Sequence, residues 1–522
     1  MKRVFIYIIS ITTAFTSLTA CKNDLEDNFY NPEETTQASI GGFFTEMLDN
    51  NRVRPSYWDI RTFVAVQPGV YTQSLSFGTA NSMYQQNAGY VQNRWDDFYR
   101  PGADGGGAMA HYRAIEAAYA ALPEAEKASA EVFLQAAKVI MFDEASEMVD
   151  LWGDIPFSEA GSLNLSGTVL KPKFDKAEDV YNTILTGLAE ASTYFASAQA
   201  TPSFQKQDIM LSGDIDMWRR YVNSLRLRLL MRTSFVNEGT VQQEITEILS
   251  NPAQYPLVDE TQYNILLAPL TNYIDNLNNA LTEVGSFSAP EFMLEQVLKP
   301  ANDPRIEVLF DKYGRTVNNI FVPNTEFKAM PLNLGSEAQT QTRENYAILD
   351  SATFLFNDNL PGVVMTASEV NLLKAEAFER WGGGEPEQVY GLALQQSVEF
   401  YYNLNNTSSS TRPKEMLPTA AEMNTFLESP TVAYTGTMQE KLAKIWTQKW
   451  VHFGFLQAVQ SWSEYRRTDY PQLTFIPATL AGYEAPPTRL MYPSSENAYN
   501  STNYQAVRDK DVRTGKIFWD VK

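Results

Sequence analysis

The 522-residue sequence contains one cysteine and only two histidines, His111 and His452. A single cysteine cannot form an internal disulfide or a cysteine-based zinc site, and two imidazoles leave little scope for metal binding or a catalytic triad. Basic residues are also few, since 41 Lys and Arg stand against 62 Asp and Glu and give a net charge of −21. Such a chain repels a phosphate backbone. We therefore predict no metal site, no cofactor and no nucleic-acid partner.

The amino terminus explains the position of the single cysteine. Residues 1–20 combine a basic start with an apolar stretch that is shorter than the ~20 residues of a membrane-spanning helix, so they are predicted to be a secretory signal peptide. The sequence Leu18-Thr19-Ala20-Cys21 fits a bacterial lipobox, in which the cysteine sulfur is acylated. We predict that Cys21 is the lipid attachment site and that residues 21–50 are the tether and the start of the fold. Loss of Lys2 and Arg3 changes the charge from −21 to −23.

Helical periodicity is strongest at about 108–235 and 365–465, which we predict to be the scaffold of a single domain over residues 51–522. Ile115, Tyr119 and Leu122 recur at i, i+4 and i+7, and a second apolar stripe begins at Phe133 after the break at Pro123. This pattern predicts a helical hairpin. Helix starts of the capping-box type recur further along the chain, at Asp175-x-x-Glu178, Ser288-x-x-Glu291, Thr366-x-x-Glu369, Thr419-x-x-Glu422 and Thr437-x-x-Glu440. The predicted fold is mainly α, with tetratricopeptide-like helical hairpins.

The segments between the helical blocks are predicted to be irregular. Residues 52–107 and the loop-rich insertion at about 236–364 have weak periodicity and many Gly, Pro, Asn and aromatic residues, and the carboxy-terminal segment 466–522 is rich in Pro and Tyr. Loops of this length on a rigid scaffold are usually functional. We therefore expect the ligand site in these insertions.

An acidic run surrounds the segment Leu151-Trp152-Gly153-Asp154-Ile155-Pro156 and is made of Asp143, Glu144, Glu147, Asp150, Asp154 and Glu159. Paired carboxylates can hydrolyse a glycosidic bond, so a glycosidase is one hypothesis. The helical spacing of these acids, opposite an apolar stripe, favours a solvated or salt-bridged face instead. Five arginines of one predicted helix are interpreted in the same way, as partners of acids on neighbouring helices: Arg219, Arg220, Arg226, Arg228 and Arg232. His452 is interpreted as a hydrogen-bonded core residue.

Aromatic residues alternate with amides through residues 52–98, which suits a neutral sugar. A sugar needs rings to stack on its flat C–H face and amides or carboxylates to bind its hydroxyls. We predict that Trp58, Tyr71 and Tyr84 form a stacking platform and that Asn81 and Gln85 supply hydrogen bonds. The same composition suits an extended peptide, and some of these rings, notably Trp95 and Tyr99, are expected in the core.

Several motifs resemble the SusD/RagB-like outer-membrane lipoproteins of Bacteroidetes. The segment LWGDIPFSEA at 151–160 is similar to the "yGDiPyseA" signature of the family. Segments in the same order as in the family follow: SGDIDMWRRYVNSLRLRLLMR (212–232), MTASEVNLLKAEA (365–377), KIWTQKW (444–450), SWSEYRRTDYP (461–471) and PTRLMYPSSENAYN (487–500). The resemblance covers nearly the whole mature chain.

The resemblance implies a SusD-like fold and a lipid-anchored protein on the outer surface of the outer membrane. It also implies a SusC-like TonB-dependent transporter as partner, glycans or, in the RagB branch, peptides as ligands, and no enzymatic activity. The ligand residues are not part of the shared motifs, so none is carried over. From the sequence we expect a lipoprotein that captures oligosaccharide and delivers it to the transporter. The alternatives are a peptide-binding lipoprotein, a structural transporter subunit without a ligand, and a glycosidase acting near Asp154.

Overall fold

A computed structural model describes residues 39–78, 82–163, 167–168, 171–269 and 277–522. The signal peptide, Cys21 and Asn81 lie outside the described residues. Within the described ranges, no helix combines the length and the apolar character needed to cross a membrane.

The protein is mainly α-helical, as predicted. Its longer helices are α1 (Ile40–Leu48), α2 (Ala88–Tyr99), α3 (Ala108–Ala120), α4 (Glu124–Trp152), α5 (Ala177–Phe195), α6 (Ile215–Arg232), α7 (Glu238–Ser250), α8 (Leu277–Val284), α9 (Ala367–Trp381), α10 (Pro386–Asn406), α11 (Ala420–Leu427), α12 (Met438–Phe453) and α13 (Ala458–Thr468). Shorter helical segments cover Tyr57–Asp59, Ile60–Val64, Pro68–Tyr71, Pro202–Gln207, Thr261–Tyr263, Phe292–Leu298, Ile306–Leu309, Ser336–Thr342, Arg343–Asn345, Ser351–Leu355, Ser494–Tyr499, Ser501–Tyr504 and Arg508–Lys510.

The strands are short and pair only in twos among the described residues. They are β1 (Ile155–Pro156), β2 (Phe174–Asp175), β3 (Ile265–Leu267), β4 (Phe310–Asp311), β5 (Gly314–Val317), β6 (Ile320–Pro323), β7 (Ile348–Leu349) and β8 (Gly362–Met365). The antiparallel pairs are β1 with β2, β3 with β8, β4 with β7, and β5 with β6. The last pair is a hairpin whose turn, Asn318-Asn319, has positive φ at both residues.

Consecutive helices pack as hairpins, which confirms the tetratricopeptide-like prediction. Helix α3 packs on α4, α5 on α6, α9 on α10, and α12 on α13. Helix α4 ends at Gly153, whose backbone has φ +81° and ψ −118° and donates a hydrogen bond to the Val149 carbonyl. Residues other than glycine rarely adopt that backbone conformation, so Gly153 determines where this helix ends.

The capping predictions are only partly confirmed. Helices α11 and α12 begin with the two-way hydrogen bonds of true capping boxes, at Thr419 and Thr437. The predictions at Asp175 and Ser288 are wrong. The Asp175 carboxylate instead accepts hydrogen bonds from the backbone of Phe157 and Ser158 across the chain, and Ser288 makes an isolated β-bridge.

Three of the longer helices lie in segments that we predicted to be irregular. Helix α2 interrupts 52–107, while α7 opens the 236–364 insertion and α8 lies within it. Helix α7 buries Val241, Ile245 and Ile248, which is the i, i+4, i+7 pattern of a helix, but few other apolar residues reinforce it.

The acids of α4 point inward, so the prediction of a solvated face is wrong and that of salt bridging is confirmed. Asp143 lies 3.6 Å from Arg228 and accepts a hydrogen bond from Tyr221, while burial raises its pKa to about 6. Arg228 also binds Glu369 on α9 at 2.6 Å. The prediction for the arginines of α6 is confirmed for Arg226, Arg228 and Arg232, which pair with acids of other elements. It is wrong for the other two, because Arg220 pairs with Asp216 of its own helix and Arg219 donates to the backbone carbonyls of Ala253 and Gln254.

The two family-like signatures at 151–160 and 487–500 contact each other. The Trp152 indole donates to the Met491 carbonyl at 3.0 Å, and the Leu490 amide donates to the Leu151 carbonyl at 2.8 Å. The Tyr492 hydroxyl donates to the Asp154 carbonyl at 2.5 Å. These two segments hold the carboxy-terminal tail on the scaffold and do not form an open site.

Candidate functional site

The most exposed tryptophan that the structure describes is Trp58, on the loop-rich side of the fold. Its side chain keeps 59% of its surface exposed. Ser56 caps the short helix Tyr57–Asp59 by accepting a hydrogen bond from the Asp59 amide, and the chain continues directly into the π-helical turn Ile60–Val64. That turn buries Ile60 and Phe63, which leaves Trp58 facing solvent.

The Trp58 ring is supported by Tyr57 and bordered by polar groups. The two rings are 5.0 Å apart at 82°, an edge-to-face contact. The Tyr57 hydroxyl donates to Glu283 Oε2 at 2.7 Å, and the Arg61 guanidinium donates to the same oxygen at 2.5 Å and to the Tyr90 hydroxyl at 3.2 Å. We call Tyr57, Trp58, Arg61, Tyr90 and Glu283 the Trp58 platform.

The electrostatics of the platform keep Glu283 ionised. Hydrogen bonds from Tyr57 and Arg61 lower the pKa of the Glu283 carboxyl, and the same carboxylate raises the pKa of the Tyr57 hydroxyl. Both hydrogen bonds reach Oε2 of Glu283. Among the described residues Oε1 has no hydrogen-bond donor, so it can accept from a ligand hydroxyl.

Two of the predicted stacking residues are in the core, which corrects the prediction of a three-ring platform. Tyr71 is fully buried and packs on Trp462 at 5.1 Å. Tyr84 is also fully buried, and its hydroxyl donates to the Ile476 carbonyl at 3.0 Å. Both rings are used to pack the amino-terminal block against the carboxy-terminal half, so neither offers a face to a sugar.

The remaining predicted residues stay predictions. Gln85 is exposed and its backbone closes a turn on Ser82, whereas Asn81 lies outside the described residues. The structure adds Tyr57, Arg61 and Glu283, which sequence reasoning missed. Arg61 lies three residues from Trp58 and could have been found by helical spacing, but Glu283 is 222 residues from Arg61 and carries no sequence signal.

The acidic run near Asp154 is held in structural contacts. Asp154 accepts from the Ala177 amide at 2.9 Å and from Lys510 at 2.6 Å. Asp150 accepts from Tyr181 and from the Trp519 indole. The carboxylates of Asp150 and Asp154 are therefore engaged in contacts that hold the fold together.

A helical-hairpin scaffold with an exposed aromatic platform on its loop-rich side defines a class of binding proteins. Residues 32–493 match the SusD-like family described as "starch-binding associating with outer membrane", and the chain belongs to that family. The family is associated with the outer membrane. No curated protein matches the chain.

Solved structures show the same fold at low sequence identity. A chitin-binding protein has a TM-score of 0.74 at 22% identity and covers 93% of this chain and 100% of its own. A SusD homologue from Bacteroides fragilis has a TM-score of 0.73 at 21% identity, with 92% and 100% covered. A chitin-binding SusD homologue from Flavobacterium johnsoniae has a TM-score of 0.70 at 20% identity, with 92% and 99% covered. These similarities confirm the predicted fold class.

Proposed function

We propose that this protein is a non-catalytic lipoprotein of the cell surface that captures an oligosaccharide on the Trp58 platform. The observation that carries the proposal is the exposed indole of Trp58, fixed by Tyr57 and flanked by an ionised carboxylate. The family description names starch, and the titles of two structural relatives name chitin, so a glycan is the ligand class that best agrees with this geometry.

The platform offers the two contacts that a sugar ring requires. The indole face packs against the C–H face of one ring, while Glu283 and Arg61 can bind hydroxyls at its edge. Because Arg61, Tyr57 and Tyr90 are already joined by hydrogen bonds, the polar groups lose little side-chain freedom on binding. The platform holds and orients the sugar and supplies no acid–base pair for its cleavage.

Replacement of Trp58 tests the site. About 250 Å² of tryptophan surface at 59% exposure leaves roughly 150 Å², of which one stacked face covers about half. At about 25 cal/mol per Å², Trp58→Ala costs about 2 kcal/mol, or roughly 25-fold in Kd. Calorimetry or affinity electrophoresis with malto- and chito-oligosaccharides measures it. The control is Tyr499→Ala, an even more exposed aromatic on the carboxy-terminal segment.

The outcomes separate the competing hypotheses. Unchanged glycan binding in Trp58→Ala removes the platform from the site. Stabilisation by an oligopeptide pool, with no glycan bound, favours the peptide-binding alternative. If the protein binds nothing but its deletion disables uptake, it is a structural subunit. If the protein releases reducing sugar and Asp154→Asn abolishes that release, the result favours the glycosidase hypothesis.

We also propose that the protein is anchored through acylated Cys21 and passes its ligand to a SusC-like TonB-dependent transporter. Family membership and the lipobox support this proposal. Cys21→Ser should abolish incorporation of labelled palmitate and release the protein from the outer membrane. Co-purification of a transporter with the wild-type protein tests the partner, and its absence under mild detergent contradicts the delivery role.

A further inference from the structure

A cavity of about 830 Å³ lies beside α8 and is not lined by any residue of the Trp58 platform. Its walls come from the β5–β6 hairpin, the π-helical turn Ser351–Leu355 and the loop that ends at Glu415. Helix α8 contributes Asn278 and Thr282 to the cavity, whereas Glu283 of the same helix belongs to the platform. The two sites are therefore adjacent but built from different residues.

Three cations line this cavity without ion-pair partners. Lys312, Arg343 and Arg412 have no carboxylate oxygen within 4.0 Å among the described residues. They lie over aromatic rings instead, Lys312 at 4.8 Å from Phe327, Arg343 at 5.5 Å from Phe287 and Arg412 at 5.3 Å from Phe356. We call these three cations, with the rings beneath them, the cationic pocket.

The cations of this pocket differ from the arginines of the helical scaffold in having no carboxylate partner within the described part of the chain. The scaffold arginines bind carboxylates, as Arg228 and Arg467 bind Glu369 and Glu376 at 2.6 and 2.7 Å. In a chain with a net charge of −21, neutralising partners for three cations are not scarce. Positive charge that is left unpaired and held on rings is available to a ligand.

The acids of the pocket do not cancel this charge. Asp311, Asp350 and Glu415 also line it. Asp311 accepts from the Ser351 amide at 2.9 Å, and Asp350 accepts from the Thr353 amide at 2.6 Å and from Asn405. Burial and the neighbouring Asp311 raise the pKa of Asp350 to about 7, so it is part-protonated at neutral pH. The three cations that line the cavity thus face fewer than three full negative charges.

We propose that the cationic pocket binds the acidic groups of an anionic oligosaccharide, either sugar carboxylates or sulfate esters. The volume lies in the range of small-molecule sites and is far larger than a free phosphate needs. Tyr313 supplies a ring face for a sugar, and guanidinium groups bind carboxylate or sulfate oxygens with two parallel hydrogen bonds. The proposal does not depend on the Trp58 platform, because the two sites share no residue.

The test compares variants of the mature chain with four defined probes. The pocket variant is Arg343→Ala/Arg412→Ala, which removes two exposed side chains and should not change the melting temperature. Arg100→Ala/Arg508→Ala removes the same charge from exposed positions elsewhere, and Trp58→Ala inactivates the platform. The probes are a galacturonic acid hexasaccharide, a chondroitin sulfate hexasaccharide, chitohexaose and a glutamate-rich hexapeptide, titrated by calorimetry at low and high NaCl.

The expected result is salt-sensitive binding of at least one acidic hexasaccharide, weakened about tenfold or more in the pocket variant alone. The two acidic probes distinguish carboxylate from sulfate recognition. The proposal is overturned if neither acidic sugar binds, if the charge-matched control weakens binding as much as the pocket variant, or if only the hexapeptide binds. Loss of binding in Trp58→Ala alone assigns the acidic sugar to the platform and also overturns it. Chitohexaose binding that is lost only in Trp58→Ala reports on the proposed function separately.

Discussion

His452 should make the folded protein less stable as the pH falls from 7.5 to 5. Its ring is buried, with Nε2 at 2.6 Å from the Thr366 hydroxyl and Nδ1 at 2.9 Å from the Ser397 hydroxyl. Burial, and secondarily the nearby Arg305 charge, lower the pKa of His452 to about 3. In the unfolded chain the His452 ring has its ordinary pKa, near 6.5. As the pH falls it therefore binds a proton in the unfolded state before it does so in the folded state.

The magnitude follows from this difference in pKa. The stabilisation is fully present above pH 6.5 and is lost progressively down to pH 3, by about 1.4 kcal/mol per pH unit. Between pH 7.5 and pH 5 the loss is about 2 kcal/mol. Other groups titrate in the same range, including Asp143, whose raised pKa has the opposite effect. The comparison must therefore be between wild type and a His452 variant.

Denaturant unfolding of wild type and His452→Gln at pH 7.5, 6 and 5 measures the difference. At pH 7.5 the variant should be less stable by about 1–3 kcal/mol, because a hydroxyl loses its partner. That deficit should shrink by about 2 kcal/mol at pH 5, since glutamine does not titrate. His111→Gln is the control, because burial also lowers the pKa of His111 but its surroundings lack the Arg305 charge. A deficit that stays constant with pH refutes a neutral, buried His452.

Two further predictions concern the scaffold and are measured by denaturant unfolding. Glu376→Gln should destabilise the fold by about 3–5 kcal/mol, because the buried cations Arg467 and Lys449 lose a carboxylate that their charges hold at a pKa of about 2. A cost below about 1 kcal/mol would show that the ion pair adds little. Gly153→Ala should cost about 1–3 kcal/mol because its φ is +81°, whereas Gly239→Ala, inside α7 with open space around it, should stabilise by up to about 1 kcal/mol. Equal effects of the two changes would contradict the backbone argument.

The hairpins could be predicted from the sequence because their signals are local. Apolar spacing that includes Ile115, which is buried, predicts helix α3, and Thr419 and Thr437 start helices through hydrogen bonds to residues three positions away. Helix α7 was missed because its buried stripe holds only three apolar residues. The scaffold helices could be predicted wherever apolar spacing and capping residues are frequent along the sequence.

The binding site could be predicted only in part, since exposure is a tertiary property. Trp58, Tyr71 and Tyr84 have similar sequence surroundings, but Trp462 and the Ile476 carbonyl cover the two tyrosines from almost 400 residues away. Composition identifies a loop rich in rings and cannot say which rings remain uncovered. Glu283 joins the platform through the same kind of distant contact.

Many charged side chains of the helical scaffold are paired with each other, and this favours ligand binding in the insertions. The inward acids of α4 and the arginines of α6 neutralise each other inside the helical hairpins, so these groups are unavailable to a ligand. The uncompensated features, the Trp58 ring and the cations around Arg412, lie in or beside the insertions. Relatives that share the fold at TM-scores near 0.7 are only about 20% identical. Insertions that do not hold the hairpins together can change ligand class without changing the fold.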